Sequence, residues 1–214
     1  MREAECCPEA RPSEPESTAC VSILATRELL PAGARAVPGL PGARTIASVP
    51  TGQRLGPLAW SRTSGTLCYS VTRKQGEWAY LGKLLVWRRD TGSTSTVMDW
   101  TQGGLTATWH PDGRRLAVIA HEYKPDPTHG QCSLWFLGQS GRSWTAKRIR
   151  VLPGSMLLGG WSQDGRQFVY SWGPNRGEGR PHFTSRVYLC QGDGSRPRPL
   201  SPPGVVDYAP NFVP

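Results

Sequence analysis

Histidine, glutamate, serine and cysteine are the side chains here that could act as catalysts or hold a metal. His121, Glu122 and His129 resemble the helical zinc-peptidase motif, in which two histidines lie one helical turn apart. In this chain the second histidine follows the first by eight residues, and Pro125 and Pro127 interrupt any helix between them. This spacing argues against a metalloprotease, and we expect no metal ligand in this segment.

Nucleophile and phosphate motifs are also incomplete. The segment GQSG at 138–141 is one residue short of the G-x-S-x-G nucleophile motif, and it predicts a turn between two strands. The segment DGS at 193–195 lacks the ring of acidic ligands that a calcium loop needs. No glycine-rich phosphate loop stands at a strand–helix junction. We therefore expect no catalytic residue, no cofactor and no metal, which predicts a protein that is not an enzyme.

The cysteines show neither a CxxC pair nor a histidine partner at zinc spacing. Cys68 and Cys190 fall within strand-like runs and Cys132 at the start of one, where a free cysteine behaves as a small apolar residue. Nothing in this pattern requires an oxidising compartment. The six positions are 6, 7, 20, 68, 132 and 190.

The net charge of +9 raises the question of nucleic acid. The basic residues are scattered singly or in pairs, with no basic helix and no run of five, so we expect a solvated surface. No apolar run is long enough to span a membrane. The run CVSILA at 20–25 is too short for a secretion signal and has no basic segment before it, which favours the cytoplasm by default.

A repeat of about 50 residues organises the chain. Three tryptophans, at 60, 109 and 161, each precede a turn that ends in glycine, and an alternating apolar run follows each turn. Phe212 stands 51 residues after the last of these tryptophans and begins the pattern a fourth time. The residues that define the repeat are Trp60, Gly65, Trp109, Pro111, Asp112, Gly113, Trp161, Asp164, Gly165 and Phe212.

Each repeat unit contains four strand-like runs, which is typical of a propeller blade. The units span about 58–100, 106–152 and 157–200, with a trailing stub at 205–214 and a poorly ordered leader at 1–42. Residues 44–49 read as the last strand of an earlier, degenerate unit. The fold class predicted is all-β, a partial propeller of about three four-stranded antiparallel blades plus an incomplete fourth.

Elementary geometry assigns roles to the repeated positions. The glycine of each turn supplies the positive φ that a tight hairpin needs. Leu116, Val118 and Ala120 share one face of a strand, with Ala117, Ile119 and His121 on the other, which suits a sheet covered on both sides. Each repeated tryptophan is expected to fill the wedge between two neighbouring sheets, so its role is architectural.

The stretch WHPDGRRLAV at 109–118 resembles the TolB-like, or WD-repeat-like, β-propeller repeat, and WSQDGRQFVY at 161–170 is nearly as similar. WSRTSGTLCY at 60–69 departs from the pattern because it lacks the proline and the aspartate. The resemblance covers roughly residues 43–214. It implies the fold but no particular function, since unrelated proteins carry such blades. A TolB-like protein would be periplasmic and bacterial.

Long inserts are the positions at which we expect binding. The inserts at 73–82, 122–131 and 173–184 should cluster on one face, because in a four-stranded meander they open on the same side. Aromatic and arginine side chains in such loops are typical of protein interfaces. The predicted interaction face comprises Trp78, Tyr80, Tyr123, Asp126, His129, Arg176, Arg180 and His182.

The function predicted is a non-catalytic scaffold for protein–protein interaction. Two alternatives stay open: the propeller portion of a prolyl-oligopeptidase-type hydrolase whose catalytic domain is absent from this chain, and a propeller that binds carbohydrate or another small ligand through Trp78, Tyr80 and Tyr123. Propellers usually close with about four to eight blades. We expect this sequence to be part of a longer propeller, a half-ring that pairs with itself, or an open arc that docks on another chain.

Overall fold

The computed structural model describes residues 19–24, 43–76, 79–122, 130–173, 185–202 and 210–212. Every regular element in these ranges is a β-strand, and the three large sheets are four-stranded and antiparallel. The all-β prediction with three four-stranded blades is confirmed. No helix in the described ranges is long and apolar enough to cross a membrane.

Blade 1 is a simple meander in which consecutive strands are neighbours. Its second strand is buried on both faces from Thr66 to Val71, because packed layers cover both sides of the sheet. Its fourth strand is mostly exposed and forms the outer edge. In chain order the strands are β3 Gln53–Ser61, β4 Thr66–Gln75, β5 Ala79–Arg88 and β6 Thr94–Gln102.

Blades 2 and 3 repeat this meander. Blade 2 consists of β7 Gly104–Trp109, β8 Arg115–Glu122, β9 Gln131–Ser140 and β10 Ser143–Pro153. Blade 3 consists of β11 Ser155–Trp161, β12 Gln167–Gly173, β13 Arg186–Gln191 and β14 Arg198–Pro199. The first strands of the three blades, β3, β7 and β11, lie next to one another, so they are the inner strands.

A two-stranded sheet covers the free side of blade 1. It pairs β1 Ala19–Leu24 with β2 Ala43–Val49 in antiparallel register. Val49 is buried against Leu67 and Val71 of blade 1. Of the predicted leader at 1–42 the structure describes only β1, a strand that the sequence analysis did not predict. A strand with no repeat partner in the sequence gives only a weak local signal.

Two apolar layers between the blades form most of the core. Leu116, Val118 and Ala120 face blade 1, while Ala117 and Ile119 on the same strand face blade 3. The predicted alternation along β8 is confirmed. All five side chains are almost fully buried, because β8 has a sheet on each side.

The turns that join the first two strands of each blade have the predicted chemistry. Gly65, Gly113 and Gly165 have φ values of +61°, +68° and +70°, which side chains other than glycine rarely adopt. The carboxylate of Asp112 accepts hydrogen bonds from the backbone N–H groups of Arg114 and Arg115 at 2.8 and 3.1 Å. The aspartates therefore have a structural role, because their carboxylates accept hydrogen bonds from backbone N–H groups of their own turns.

The prediction of a loop at 73–82 is wrong. Strands β4 and β5 continue through it, with Gln75 directly opposite Ala79, so only 76–78 lie between them. Thr72 and Gly82 are also opposite each other in this ladder. Charged and aromatic residues had suggested a loop, but a hairpin exposed to water at its tip tolerates them in strands.

Candidate functional site

The predicted interaction face is described at one residue. Tyr80 is half-buried on β5, and its backbone carbonyl accepts a hydrogen bond from Gly103 N–H at 2.7 Å. The predicted clustering of the three inserts stays a prediction. The other members of the predicted face lie outside the described residues: Trp78, Tyr123, Asp126, His129, Arg176, Arg180 and His182.

The inner strands form a concave surface that the sequence analysis did not identify. We call it the inner-strand groove; it has a volume of about 470 Å³ and is lined by residues 57–60, 106–109 and 157–159. Each of β3, β7 and β11 is the edge strand of its own sheet, so each pairs with only one strand. The groove therefore combines apolar side chains with backbone groups that lie outside any ladder.

Three large apolar side chains of the groove are exposed to water. Leu58, Trp60 and Leu157 have 52%, 39% and 38% of their surface accessible. Single exposed apolar residues are ordinary on a protein surface, but three that line one concave groove are typical of a binding site. Among the described residues, no charged side chain lines the groove.

The walls of the groove are held by contacts between blades. The indole N–H of Trp109 donates a hydrogen bond to the carbonyl of Ala59 in blade 1, at 3.0 Å. The Trp109 ring also packs on Trp144, with ring centroids 6.1 Å apart. The hydrogen bond ties β7 to β3, and the ring contact holds Trp109 against the outer strand of its own blade.

The three repeated tryptophans do not share one role. Trp161 is 8% exposed and packs on Phe136 and Phe168, as a wedge between blades 2 and 3 should. Trp60 departs from this prediction, because it lines the inner-strand groove and is 39% exposed. The small sheet that covers blade 1 packs on Leu67 and Val71.

His110 joins blades 2 and 3, a role that sequence reasoning missed. Its buried ring packs edge-on against Trp161 at 4.6 Å, and its Nε2 lies 3.2 Å from the carbonyl oxygen of Gly165. The backbone N–H of Asp112 donates to its Nδ1 at 3.1 Å. The polar residue after a repeated tryptophan was the available signal, since Ser61 and Ser162 hold the same position in the other blades.

The carboxylate of Asp164 stabilises a turn, and the thiols of Cys132 and Cys190 lie in the core. The hydrogen bond from the Ser162 hydroxyl, joined by the Arg166 backbone N–H, lowers the pKa of Asp164. Burial raises the pKa of the Cys190 thiol to about 12, and burial together with the nearby Glu122 raises that of Cys132 to about 12. Asp164 therefore stays ionised and both thiols stay protonated at neutral pH, which suits a turn and a core.

The residues that suggested chemistry are separated by the fold. His121 and Glu122 are neighbours on β8 and therefore point to opposite faces of the sheet. Glu122 instead accepts hydrogen bonds from Gln131 and from Ser133 of β9, at 2.5 and 3.4 Å. The turn predicted at 138–141 is shorter than expected: β9 continues to Ser140, which pairs with Ser143, so the turn comprises only residues 141 and 142. Among the described residues no group of three histidine, cysteine, aspartate or glutamate side chains could hold a metal ion.

The trailing stub lies beside blade 3. The carbonyl of Pro210 and the side chain of Asn211 approach so closely to Gly159 and Gly160 that a Cβ atom at either glycine would overlap them. The described part of the stub, 210–212, thus runs along the inner strand of blade 3. Phe212 is half-buried there.

Comparison with solved structures supports the fold. The chain superposes on a protein assigned as TolB from Agrobacterium tumefaciens with a TM-score of 0.50 and 18% identity, covering 74% of this chain and 52% of that one. TolB from Acinetobacter baumannii gives a TM-score of 0.49 with 15% identity over 75% of this chain and 35% of its own. The propeller domain of the Trilobed protease from Pyrococcus furiosus gives 0.45 with 12% identity over 69% and 43%.

These similarities show a β-propeller fold similar to TolB at low sequence identity. The chain spans about half of the Agrobacterium protein and about a third of the Acinetobacter protein. No protein-family model matches the sequence, and no curated protein matches it.

Proposed function

We propose that this chain is a non-catalytic β-propeller scaffold that binds a protein partner, and that the inner-strand groove holds an extended apolar segment of the partner. One observation carries the proposal: Leu58, Trp60 and Leu157, from two different blades, expose apolar surface in one concave groove. Apolar surface of this shape gains about 25 cal/mol for each Å² that a ligand removes from water.

The backbone of the groove favours a peptide over a compact small molecule. Strands β3 and β7 are edges of their sheets, and their remaining N–H and C=O groups suit the backbone of an extended segment, whereas β11 already has residues 210–212 beside it. The described lining residues of the groove are all uncharged, so we expect apolar side chains to dominate recognition. The absence of enzymatic activity is part of this proposal.

Selection of peptides against the full chain tests the proposal. We expect a random library to yield apolar peptides whose binding to Leu58→Asp and Leu157→Asp variants is at least about tenfold weaker, because each variant places a charge in the groove. Val151→Asp is the matched control, since Val151 is 44% exposed on the outer strand β10. Circular dichroism checks that all three variants keep the fold.

Two results would contradict the proposal. Selection that enriches no apolar peptide would show that the groove has no affinity for such segments. Peptides whose affinity falls equally in the Val151→Asp control would show that binding occurs elsewhere. The hydrolase and carbohydrate alternatives stay predictions, because Trp78 and Tyr123 lie outside the described residues.

A further inference from the structure

A second cavity lies between blades 1 and 2, on the outer side of the apolar layer that joins them. It has a volume of about 590 Å³, within the range of small-molecule sites. Buried Thr66 and Val86 form its floor. We call it the outer pocket; its lining residues are Thr66, Val86, Arg88, Asp90, Thr91, Ser93, Ser95, Gln139, Arg142 and Trp144.

The strand register explains why these side chains face the same space. In blade 1, Arg88 lies opposite Thr66, and Ser95 lies opposite Val86. In blade 2, Trp144 lies directly opposite Gln139. Two sheets therefore present facing walls, one rich in hydroxyl groups and the other carrying an indole and an amide.

The pocket holds two arginines and one carboxylate. Arg88 Nε is 3.4 Å from Asp90 Oδ1, and both side chains are substantially exposed, so this ion pair is weak. Arg142 has no carboxylate within ion-pair distance in the described part of the chain. A guanidinium that lacks a partner beside a polar cavity favours a ligand with a carboxylate or phosphate group.

The other lining groups favour a hydroxylated ring. Serine and threonine hydroxyls and the Gln139 amide both donate and accept hydrogen bonds, which matches the needs of sugar hydroxyls. The half-buried indole of Trp144 supplies an apolar surface for the C–H face of such a ring. Gln139 donates to the carbonyl of Gly141 and the hydroxyls of Thr91 and Ser93 bond to each other, so these groups offer a ligand their remaining hydrogen-bonding capacity.

The repeat does not require this pocket. Val86 pairs with Cys68 in blade 1 just as Phe136 pairs with Ala117 in blade 2, so the two positions are equivalent. At the interface of blades 2 and 3, Phe136 packs on Trp161, with ring centroids 5.0 Å apart. A phenylalanine thus fills the space at the second interface, whereas the smaller valine leaves it open at the first.

We infer that the outer pocket binds a monosaccharide that carries one acidic group, a sugar acid or a sugar phosphate. Arg142 and Arg88 contact the acid, the hydroxyl and amide side chains contact the ring hydroxyls, and Trp144 contacts the ring face. The pocket shares no lining residue with the inner-strand groove, so variants can test the two sites separately.

Calorimetric titration of the full chain tests this inference, with glucuronate, glucose 6-phosphate, glucose and inorganic phosphate as the probes. We expect saturable binding of at least one of the two acidic sugars, and this result also identifies the acid as carboxylate or phosphate. Glucose and inorganic phosphate should each bind at least about tenfold more weakly, because each lacks one half of the recognised group.

Two variants place the binding in the outer pocket. Arg142→Gln should weaken the acidic sugar by about tenfold to a hundredfold through loss of charge-assisted hydrogen bonds. Ser95→Tyr fills the cavity from an exposed position and should abolish binding. Arg166→Gln is the matched control, since this arginine is exposed at a turn of blade 3.

The inference is overturned if neither acidic sugar binds, or if both Arg142→Gln and Ser95→Tyr bind as the unmodified chain does. Equal affinity for inorganic phosphate and glucose 6-phosphate would also overturn it, because the ring would then contribute nothing. Thermal melts confirm that the variants are folded. Apolar peptides selected on the inner-strand groove should still bind Arg142→Gln, which separates this test from that of the proposed function.

Discussion

Replacing Trp161 with alanine should destabilise the protein more than replacing Trp60, although the two residues hold the same position in the repeat. Trp161 is 8% exposed and Trp60 is 39% exposed. A tryptophan buries roughly 200 Å², so this difference corresponds to about 60 Å² and to about 1.5 kcal/mol of transfer free energy.

Cavity formation widens the difference. Trp161 is enclosed by His110, Phe136 and Phe168, so its removal leaves a closed void between two sheets. Such large-to-small changes cost about 3–5 kcal/mol. Trp60 borders the open groove, where water replaces the lost ring, and we expect a loss of about 2–3 kcal/mol from its buried part alone.

Urea unfolding followed by far-UV circular dichroism measures both losses. Tryptophan fluorescence is unsuitable, because each variant removes one of the nine fluorophores. Similar losses for the two variants, or a larger loss for Trp60→Ala, would refute the assignment of Trp161 to the interface of blades 2 and 3. The expected order rests only on burial, since both variants lose the same side chain.

Three further predictions concern turns, protons and thiols. Gly113→Ala should destabilise the protein more than Gly141→Ala does. Both glycines have a positive φ, which costs alanine about 1 kcal/mol, but a Cβ at Gly113 would also meet Ser64 at 2.9 Å. Equal urea midpoints for the two variants would contradict this prediction. Burial lowers the pKa of His121, so the unfolded chain binds a proton at this residue more readily than the folded chain does. The free energy of unfolding should therefore fall as the pH drops below about 6.5. His121→Gln should flatten this pH dependence in melts between about pH 5 and 7, and an unchanged slope would exclude His121 as its source. A C6S C7S C20S variant keeps three thiols, all of them buried: Cys68, Cys132 and Cys190. Ellman's reagent should therefore label the folded variant slowly and the urea-unfolded variant at once. Rapid labelling of the folded variant would contradict this burial.

Local chemistry made the blades predictable from the sequence. Alternating apolar residues along β8 specify a strand with two buried faces, because successive side chains point in opposite directions. Glycine at 65, 113 and 165 specifies hairpin turns, because a positive φ is easy only for glycine. Both signals act within a few residues, so the repeat, the all-β class and the blade pattern could be read without a structure.

The inner-strand groove and the outer pocket depend on contacts between residues that are distant in the sequence. Trp60 and Trp161 share a repeat position, yet one lines a groove and the other is enclosed, because different layers pack beside them. His110 of blade 2 contacts the carbonyl oxygen of Gly165 in blade 3, and no local pattern predicts that contact. The loop predicted at 73–82 proved to be a hairpin, because pairing of β4 with β5 outweighed the polar character of the segment.

The sequence by itself therefore determined which segments become strands and where they turn, since these properties follow from backbone preferences and the two-residue period of a strand. Only the tertiary structure decided where apolar surface stays exposed and where a cavity opens. Val86 and Phe136 illustrate the reason: they occupy equivalent register positions, and only the packing of the sheets shows that the larger side chain fills its interface while the smaller one leaves a cavity.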